Sequence, residues 1–230
     1  NLTKPISFSA RGPAGAALLY HSPKPRYDYS NKIVLITGGS RGLGLVLARE
    51  LASRGARIAI CARDREELNR AKEDLESHGG EVFDAVCDMR DQTEVERMID
   101  DVRSRFGRID VLLNNAGVIQ VGPLEAQTQA DFEEAMQIHF WGPFYAMRKV
   151  IPEMQARGEG RIVNISSIGG KIAVPHLTPY CASKFALAGL SSAMHGELAK
   201  DGIYVTTVYP GLMRTGSHIN AFFKGQHRKE

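Results

Sequence analysis

A glycine-rich string occupies residues 37–44 and reads Thr37-Gly38-Gly39-Ser40-Arg41-Gly42-Leu43-Gly44. An apolar, β-branched run precedes it and an amphipathic stretch follows it, so the string joins a predicted strand to a predicted helix. Glycine lets the backbone turn sharply and lets a pyrophosphate approach, while the start of the helix supplies N–H groups and a positive dipole end. The string therefore predicts a dinucleotide-binding turn, with a tight turn that binds no ligand as the alternative.

Short β-branched runs alternate with longer amphipathic stretches from residue 32 onward. This alternation is typical of repeated βα units, whose strands pair in parallel. The predicted strands cover residues 32–37, 56–61, 81–87, 109–114, 161–166 and 203–209. The predicted helices lie near residues 42–54, 64–77, 91–106, 128–156 and 179–200. The sequence thus predicts an α/β fold, a single domain with a doubly wound parallel sheet in which six strands are readable.

Local signals mark where some of these helices begin and bend. Asp64 and Asp91 each precede a glutamate by three residues, a pattern that indicates a helix start. Gly142 and Pro143 lie inside the long fourth helical stretch, so a bend is expected there.

Composition excludes several classes of protein. With 230 residues, 43% of them hydrophobic and 24% charged, the chain has the make-up of a globular protein, not a disordered or fibrous one. The net charge of +3 arises within the first 31 residues, so no nucleic-acid surface is predicted, and no apolar run is long enough to span a membrane. Cys61, Cys87 and Cys181 form an odd set without metal-ligand spacing, which predicts reduced thiols, no metal site and a cytoplasmic location.

The two ends of the chain differ from its middle. Residues 1–31 are rich in Pro, Ser and Gly and predict an irregular N-terminal arm, whereas 32–230 form the predicted dinucleotide-binding catalytic domain. The chain begins with Asn, so we expect a segment upstream. Residues 211–230 show no strand pattern, but Ile219, Phe222 and Phe223 predict an apolar substrate lid and therefore an apolar ketone or acyl substrate.

A pair of polar residues opens the fifth helix, in the stretch Tyr180-Cys181-Ala182-Ser183-Lys184. A spacing of four places the phenol and the ammonium on one helix face, where the charge of Lys184 is expected to lower the pKa of Tyr180 from about 10. Ser167 lies at the carboxyl end of the fifth strand, where open parallel sheets bind ligands. Ser166 should face the other way and be structural, and Cys181 should be a packing residue.

Taken together, these motifs resemble the short-chain dehydrogenase/reductase family over residues 32–215. Besides the T-G-x-x-x-G-x-G turn, the matching positions are Asp88, Asn114-Asn115-Ala116-Gly117, Ser167, Tyr180, Lys184, Pro210-Gly211 and Thr215. The resemblance implies a Rossmann-like fold with Ser167, Tyr180 and Lys184 as catalytic residues. It also implies a set of cofactor-binding residues: Thr37, Gly38, Ser40, Arg41, Gly42, Gly44, Arg63, Asp88 (adenine), Asn115 (adenosine), Gly117, Lys184 (ribose), Pro210, Gly211 and Thr215 (nicotinamide amide).

One position departs from the family pattern. Where the family usually has an Asn that completes a catalytic tetrad and a water-mediated proton relay, this chain has His139. The family's relay uses the backbone carbonyl at this bend, which His139 also offers, and an imidazole can bind a water. We therefore include His139 among the candidate catalytic residues, with filling of a gap at the helix bend as the equal alternative.

The end of the second predicted strand bears on the cofactor. Family members selective for NAD have an acid where this chain has Ala62, and Arg63 comes next. Arg41 can approach the same ribose position from the glycine-rich turn, and a guanidinium matches phosphate oxygens. Asp64 favours NAD instead, although it also suits a helix cap. The prediction is NADP(H).

These expectations combine into an NADPH-dependent carbonyl reductase that acts on a small-molecule carbonyl and runs backwards as an alcohol dehydrogenase. The alternative, suggested by His139, is a non-catalytic NADP(H)-binding sensor or scaffold protein. Family members commonly pair through their fourth and fifth helices, so a homodimer or homotetramer is expected. Relatives continue into one more strand and helix, so we also expect chain beyond Glu230.

Overall fold

The computed structural model describes residues 27–213 and 221–225. Its strands are β1 (Ile33–Thr37), β2 (Arg57–Ala62), β3 (Val82–Val86), β4 (Val111–Asn114), β5 (Gln120–Val121), β6 (Gly160–Ile165), β7 (Ile203–Val208) and β8 (Phe222–Phe223). Its α-helices are α1 (Gly42–Ser53), α2 (Arg65–Ser77), α3 (Gln92–Phe106), α4 (Gln129–Met136), α5 (Gly142–Arg157) and α6 (Thr178–Leu198). Short 3₁₀ turns cover Leu124–Ala126, Ile168–Gly170 and Ala199–Asp201. Of the predicted N-terminal arm only residues 27–31 are described, and they end in a turn before β1.

Six parallel strands form the central sheet in the order β3-β2-β1-β4-β6-β7. Side chains alternate across the sheet, so Ile33 and Leu35 of β1 join one hydrophobic core with α3 and α5. Val34 and Ile36 join the second core with α1 and α2 on the opposite face. The predicted doubly wound sheet is confirmed. From β1 the chain adds β2 and β3 on one side of β1, and it then crosses to place β4 on the other side. This reversal of direction leaves a crevice at the carboxyl ends of β1 and β4.

The long fourth helical stretch is two helices joined by a π-helical turn. α4 ends at Met136, residues 137–141 form the turn, and α5 begins at Gly142. A Cβ atom on Gly142 would lie 2.6 Å from the carbonyl oxygen of Met89, so only glycine fits at this crossing. At the position where a bend is expected, the structure has a π turn, which adds one residue to the helical path just before Gly142 and Pro143.

A second, two-stranded sheet pairs β5 with β8. The N–H of Phe222 donates to the Ile119 carbonyl and that of Lys224 to the Val121 carbonyl, at 2.9 and 2.8 Å. The Lys224 ammonium also contacts both carboxylate oxygens of Asp131 at 2.6 Å. The expectation that no strand follows residue 209 is therefore wrong for β8. A strand of two residues is too short to show an alternating pattern in the sequence.

None of the helices within residues 27–213 and 221–225 combines the length and apolar character that a membrane span requires. The three cysteines are free and buried. The same ranges hold no cluster of three or more His, Cys, Asp or Glu side chains that could ligate a metal ion.

Candidate active site

The glycine-rich turn lies between β1 and α1 and is held by the segment after β4. Gly38 and Gly42 have positive φ angles of 66° and 56°. A Cβ atom on Gly44 would lie 2.1 Å from the carbonyl oxygen of Gly38, which requires glycine at this approach. The Thr37 hydroxyl accepts the N–H groups of Asn115 and Ala116 at 3.0 and 3.1 Å. The amide of Asn115 in turn donates to the carbonyls of Thr37 and Gly38. Asn115, expected beside adenosine, therefore supports the turn itself.

The start of α1 is suited to a pyrophosphate. Asp64 and Asp91 cap the first N–H groups of α2 and α3, whereas no side chain within the described residues caps α1, whose first turn carries no acidic residue. Its N–H groups and positive dipole end therefore remain available to an anion. Together with the close glycine turn, this fits the phosphates of a dinucleotide.

Lys184 and Tyr180 project from the first turns of α6 toward the end of β6. Lys184 is 4% exposed, and its ammonium donates to the Ile165 carbonyl at 2.8 Å and lies 5.7 Å from the centroid of the Tyr180 ring. Ser167 follows β6 directly, and its Oγ accepts the N–H of Gly169 at 3.1 Å. A Cβ atom on Gly169 would lie 3.2 Å from the Tyr180 ring, so this glycine lets Tyr180 pack beside the Ser167 turn. The structure thus brings the three predicted catalytic residues together.

The protonation of these groups differs from the expectation. Burial raises the pKa of Tyr180 above 10.0, although the neighbouring Ser167 hydroxyl lowers it. Burial also lowers the pKa of Lys184 from 10.5 to about 7. The expected lowering of the Tyr180 pKa by Lys184 is therefore wrong for this structure, because burial of the phenol is the largest influence on this pKa and raises it. Tyr180 remains a protonated phenol at neutral pH, which is the form that donates a proton.

His139 is buried in the π turn, with both ring nitrogens engaged. Its Nε2 accepts the N–H of Val118 at 3.1 Å, which places the ring hydrogen on Nδ1. Nδ1 donates to the Ser183 hydroxyl at 2.8 Å, and Ser183 donates to the Tyr180 carbonyl at 2.9 Å. Burial and the charge of Lys184 hold the pKa of His139 well below 6.5, so the ring is neutral. The expectation that its imidazole binds a relay water is not supported, because protein groups use both nitrogens.

Gly117 lies where the segment after β4 meets these residues. A Cβ atom at this position would be 3.0 Å from Nε2 of His139 and 3.7 Å from Nζ of Lys184. Ser166 is buried and donates to the Lys184 carbonyl at 3.1 Å, in agreement with its predicted structural role. Cys181 is buried and its sulfur packs beside Gly169, as expected of a packing residue.

Asp88 follows β3 and is bound by an arginine that no sequence motif indicates. The Arg90 guanidinium contacts both oxygens of Asp88 and reaches Glu134 of α4 at 3.2 Å. Burial favours the neutral form of Asp88, but Arg90, with a smaller contribution from Arg63, outweighs it and lowers the pKa of this carboxyl. The side chain expected to accept from adenine is therefore already ion-paired.

The two arginines predicted to bind a 2′-phosphate have different surroundings. Arg41 donates to Glu67 of α2 at 2.8 Å, and the same carboxylate accepts the Ser40 hydroxyl at 3.0 Å. Arg63 is exposed at the end of β2. Asp64 accepts the N–H of Glu67 at 2.9 Å, so it caps α2. This is the second of the two roles that the sequence allows for it.

The remaining predicted contacts follow β7. The Pro210 carbonyl accepts the N–H of Ile168, which places residues 210–211 beside the Ser167 turn. Thr215 and Ile219 lie outside the described residues.

Comparison with known proteins agrees with the family that the sequence motifs resemble and with the observed fold. The family model described as short chain dehydrogenase matches residues 32–223. The chain belongs to the short-chain dehydrogenase family. It is accordingly an oxidoreductase of that family.

Individual relatives of this short-chain dehydrogenase differ in cofactor. A solved variant of actinorhodin polyketide ketoreductase with NADPH is 37% identical, with a TM-score of 0.78 over 80% of this chain and 72% of that one. The NAD⁺-bound xylitol dehydrogenase structure is 32% identical, with a TM-score of 0.77 over 80% of this chain and 72% of that one. The 3-ketodihydrosphingosine reductase of Mus musculus is 36% identical over 82% of this chain, which spans 58% of that protein.

Proposed function

We propose that this short-chain dehydrogenase is an NADP(H)-dependent carbonyl reductase that also runs in reverse as an alcohol dehydrogenase. The observation that carries the proposal is the Tyr180 phenol, which packs beside the Ser167 turn with the buried Lys184 ammonium 5.7 Å from its ring, at the carboxyl edge of the sheet. When bound, the nicotinamide supplies or accepts a hydride. The chain's own residues supply the proton, the orientation of the substrate and the shielding from water.

Each residue has one task in this proposal. The Ser167 hydroxyl donates to the carbonyl oxygen of the substrate and orients it. Tyr180 gives its proton to that oxygen, and its raised pKa keeps the proton in place until the oxygen becomes more basic. Lys184 would bind the ribose hydroxyls. His139 and Ser183 hold the backbone of Tyr180 in position.

The choice of NADP(H) over NAD(H) rests on residues of this chain, since the solved relatives include both kinds of complex. Ala62 stands at the end of β2 in place of an acid that would repel a 2′-phosphate. Arg41 and Arg63 supply cations near the same position. The Asp64 carboxylate, which would favour NAD, is occupied as a helix cap.

Exposed apolar side chains around the site support an apolar substrate. Ile168 and Ile172, which lie between Ser167 and Tyr180, are 44% and 62% exposed. Leu212, Phe222 and Phe223 in the segment after β7 are also exposed. A ketone or acyl chain would cover this surface, and the names of the ketoreductase relatives agree with a carbonyl as the reacting group.

We also propose that the protein forms a homodimer or a homotetramer. Trp141, before α5, and Phe185, on α6, are 38% and 44% exposed, which a partner helix would cover.

The function is tested by following NADPH oxidation with a panel of apolar ketones, acyl thioesters and quinones. Oxidation with at least one of them, lost in Tyr180→Phe, is the expected result. Cofactor binding without turnover of any carbonyl would favour the sensor or scaffold protein instead.

A further inference from the structure

Glu67 occupies the third position of α2, where a capping box would turn its side chain back toward the helix start. In α4 the box is complete, because Thr128 and Asp131 bond to each other reciprocally. In α2 only half of it forms. Asp64 accepts the N–H of Glu67, but the Glu67 carboxylate extends to the glycine-rich turn instead.

The Glu67 carboxylate accepts hydrogen bonds from the side chains of two neighbouring residues in that turn. Its Oε2 accepts the Ser40 hydroxyl at 3.0 Å, and its Oε1 accepts a guanidinium N–H of Arg41 at 2.8 Å. Ser40 is 8% exposed, and the Glu67 side chain is 22% exposed. A serine hydroxyl carries a single hydrogen, so Ser40 cannot donate to another anion while it donates to Glu67.

Other charges along the same groove are largely paired. The groove between α1 and α2 has a volume of about 340 Å³ and is lined by Ser40, Arg41, Arg49, Glu67, Arg70 and Asp74. Arg49 contacts both oxygens of Asp74 at 2.7 and 2.9 Å. Glu67 is therefore the carboxylate of this groove that engages the turn.

We propose that Glu67 is a cofactor-specificity residue that competes with the 2′-phosphate of NADP(H) for Ser40 and Arg41. The inference rests on the proposed function, in which Arg41 binds that phosphate, and it adds the hydroxyl of the neighbouring Ser40 as a second donor to it. To bind NADP(H), Ser40 must release Glu67, and the phosphate must approach a carboxylate of the same sign. NAD(H) carries no phosphate there, so its binding leaves the Glu67 contacts intact. Glu67 consequently weakens the binding of NADP(H) but not that of NAD(H). The ratio of the two affinities is therefore smaller than it would be without this carboxylate.

The test measures binding, without turnover, by calorimetric titration of NADPH, NADH, 2′,5′-ADP and 5′-AMP. The proteins are the wild type, Glu67→Gln, Glu67→Ala and the control Asp74→Asn. Asp74 lies on the same helix and lines the same groove but contacts Arg49, not the turn, so its variant corrects for loss of one negative charge. Thermal unfolding establishes that each variant is folded.

We expect both Glu67 variants to bind NADPH and 2′,5′-ADP about fivefold or more tightly, with NADH and 5′-AMP within about twofold of wild type. Asp74→Asn should change the ratio between the two cofactors by less than about twofold. Unchanged or weaker NADPH binding in Glu67→Gln would overturn the inference, and weaker binding would mean that Glu67 holds Arg41 in place for the phosphate. An equal gain for 5′-AMP and 2′,5′-ADP would overturn it too.

The test of Glu67 and the test of the proposed cofactor can fail independently. A wild-type protein that binds NADH as tightly as NADPH contradicts the proposed cofactor. A selective gain for 2′,5′-ADP in Glu67→Gln would still uphold the role of Glu67.

Discussion

The Nδ1 atom of His139 lies 2.8 Å from the hydroxyl oxygen of Ser183. The other ring nitrogen accepts the Val118 N–H, so one buried imidazole joins the segment after β4 to the helix that carries Tyr180 and Lys184. This link holds the helix that carries the two predicted catalytic residues against the segment after β4. We infer that the imidazole of His139 has a positioning role, because both of its ring nitrogens are bound to protein groups.

Replacement of His139 should therefore reduce stability. His139→Ala leaves the Val118 N–H without its partner and creates a cavity, with an expected loss of about 3 kcal/mol in the free energy of unfolding. His139→Asn, which restores the residue usual in the family, should lose less. Urea denaturation of both variants measures the difference, and an unchanged midpoint in His139→Ala would contradict the role.

The neutral state of His139 also predicts a pH dependence. Its pKa is lowered in the folded protein and near 6.5 in the unfolded chain, so the unfolded state binds more protons as the pH falls. The stability that His139 contributes is present above about pH 6.5 and is lost as the pH drops below that value. Denaturation midpoints between about pH 7 and about pH 5 should fall more steeply for wild type than for His139→Asn. Parallel slopes would count against the neutral histidine.

Lys184 predicts a second pH dependence at higher pH. Because burial lowers its pKa from 10.5 to about 7, the unfolded chain binds more protons between these values. Its contribution to stability should therefore increase as the pH rises through this interval. Lys184→Met removes the titrating group and should flatten the rise, as measured by urea denaturation near pH 7.5 and 9.5. An equal rise in both proteins would refute the buried, weakened ammonium.

Tyr180→Phe should lower turnover by about 100-fold or more while leaving NADPH affinity nearly unchanged, because it removes the proton donor but no proposed cofactor contact. Steady-state kinetics and calorimetric titration measure the two quantities. Ser166→Ala is the matched control, since it removes a hydroxyl that contacts the Lys184 carbonyl and not the proposed substrate site. Activity within tenfold of wild type in Tyr180→Phe would refute the mechanism.

Arg63→Ala and Arg41→Ala should each weaken NADPH binding by about 1.5–3 kcal/mol and leave NADH binding unchanged. Titration of both cofactors into wild type and the two variants tests this. Arg70→Ala controls for general loss of positive charge, because this exposed arginine lines the neighbouring groove. Equal weakening of both cofactors would show that these arginines do not recognise the 2′-phosphate.

The proposed association predicts a dimer or tetramer in light scattering at micromolar concentration. Phe185→Glu should shift the protein toward monomer, since it places a charge on the exposed face of α6. Leu124→Glu, also at an exposed apolar residue but outside α5 and α6, should leave the mass unchanged. A monomeric wild type would contradict the association.

Much of the fold and part of the site could be predicted because their determinants are local. Strand and helix periodicity is set by neighbouring residues, so the six strands of the central sheet and the turn between β1 and α1 are readable along the chain. Tyr180 and Lys184 share a helix face because four residues make about one turn. Asp64 and Asp91 cap helices through N–H groups two or three residues away.

Other features depended on how distant segments pack. Glu67 accepts a hydrogen bond from Ser40, 27 residues away in the sequence, and His139 bonds to Ser183, 44 residues away. No local sequence pattern predicts either contact. The sequence alone determined which residues could carry the chemistry and where their elements begin. Only the tertiary structure decided that burial raises the pKa of Tyr180, that burial lowers the pKa of Lys184 and that Glu67 binds the side-chain donors of Ser40 and Arg41. These properties follow from burial and from contacts between helices, and they exist only once the helices pack on the sheet.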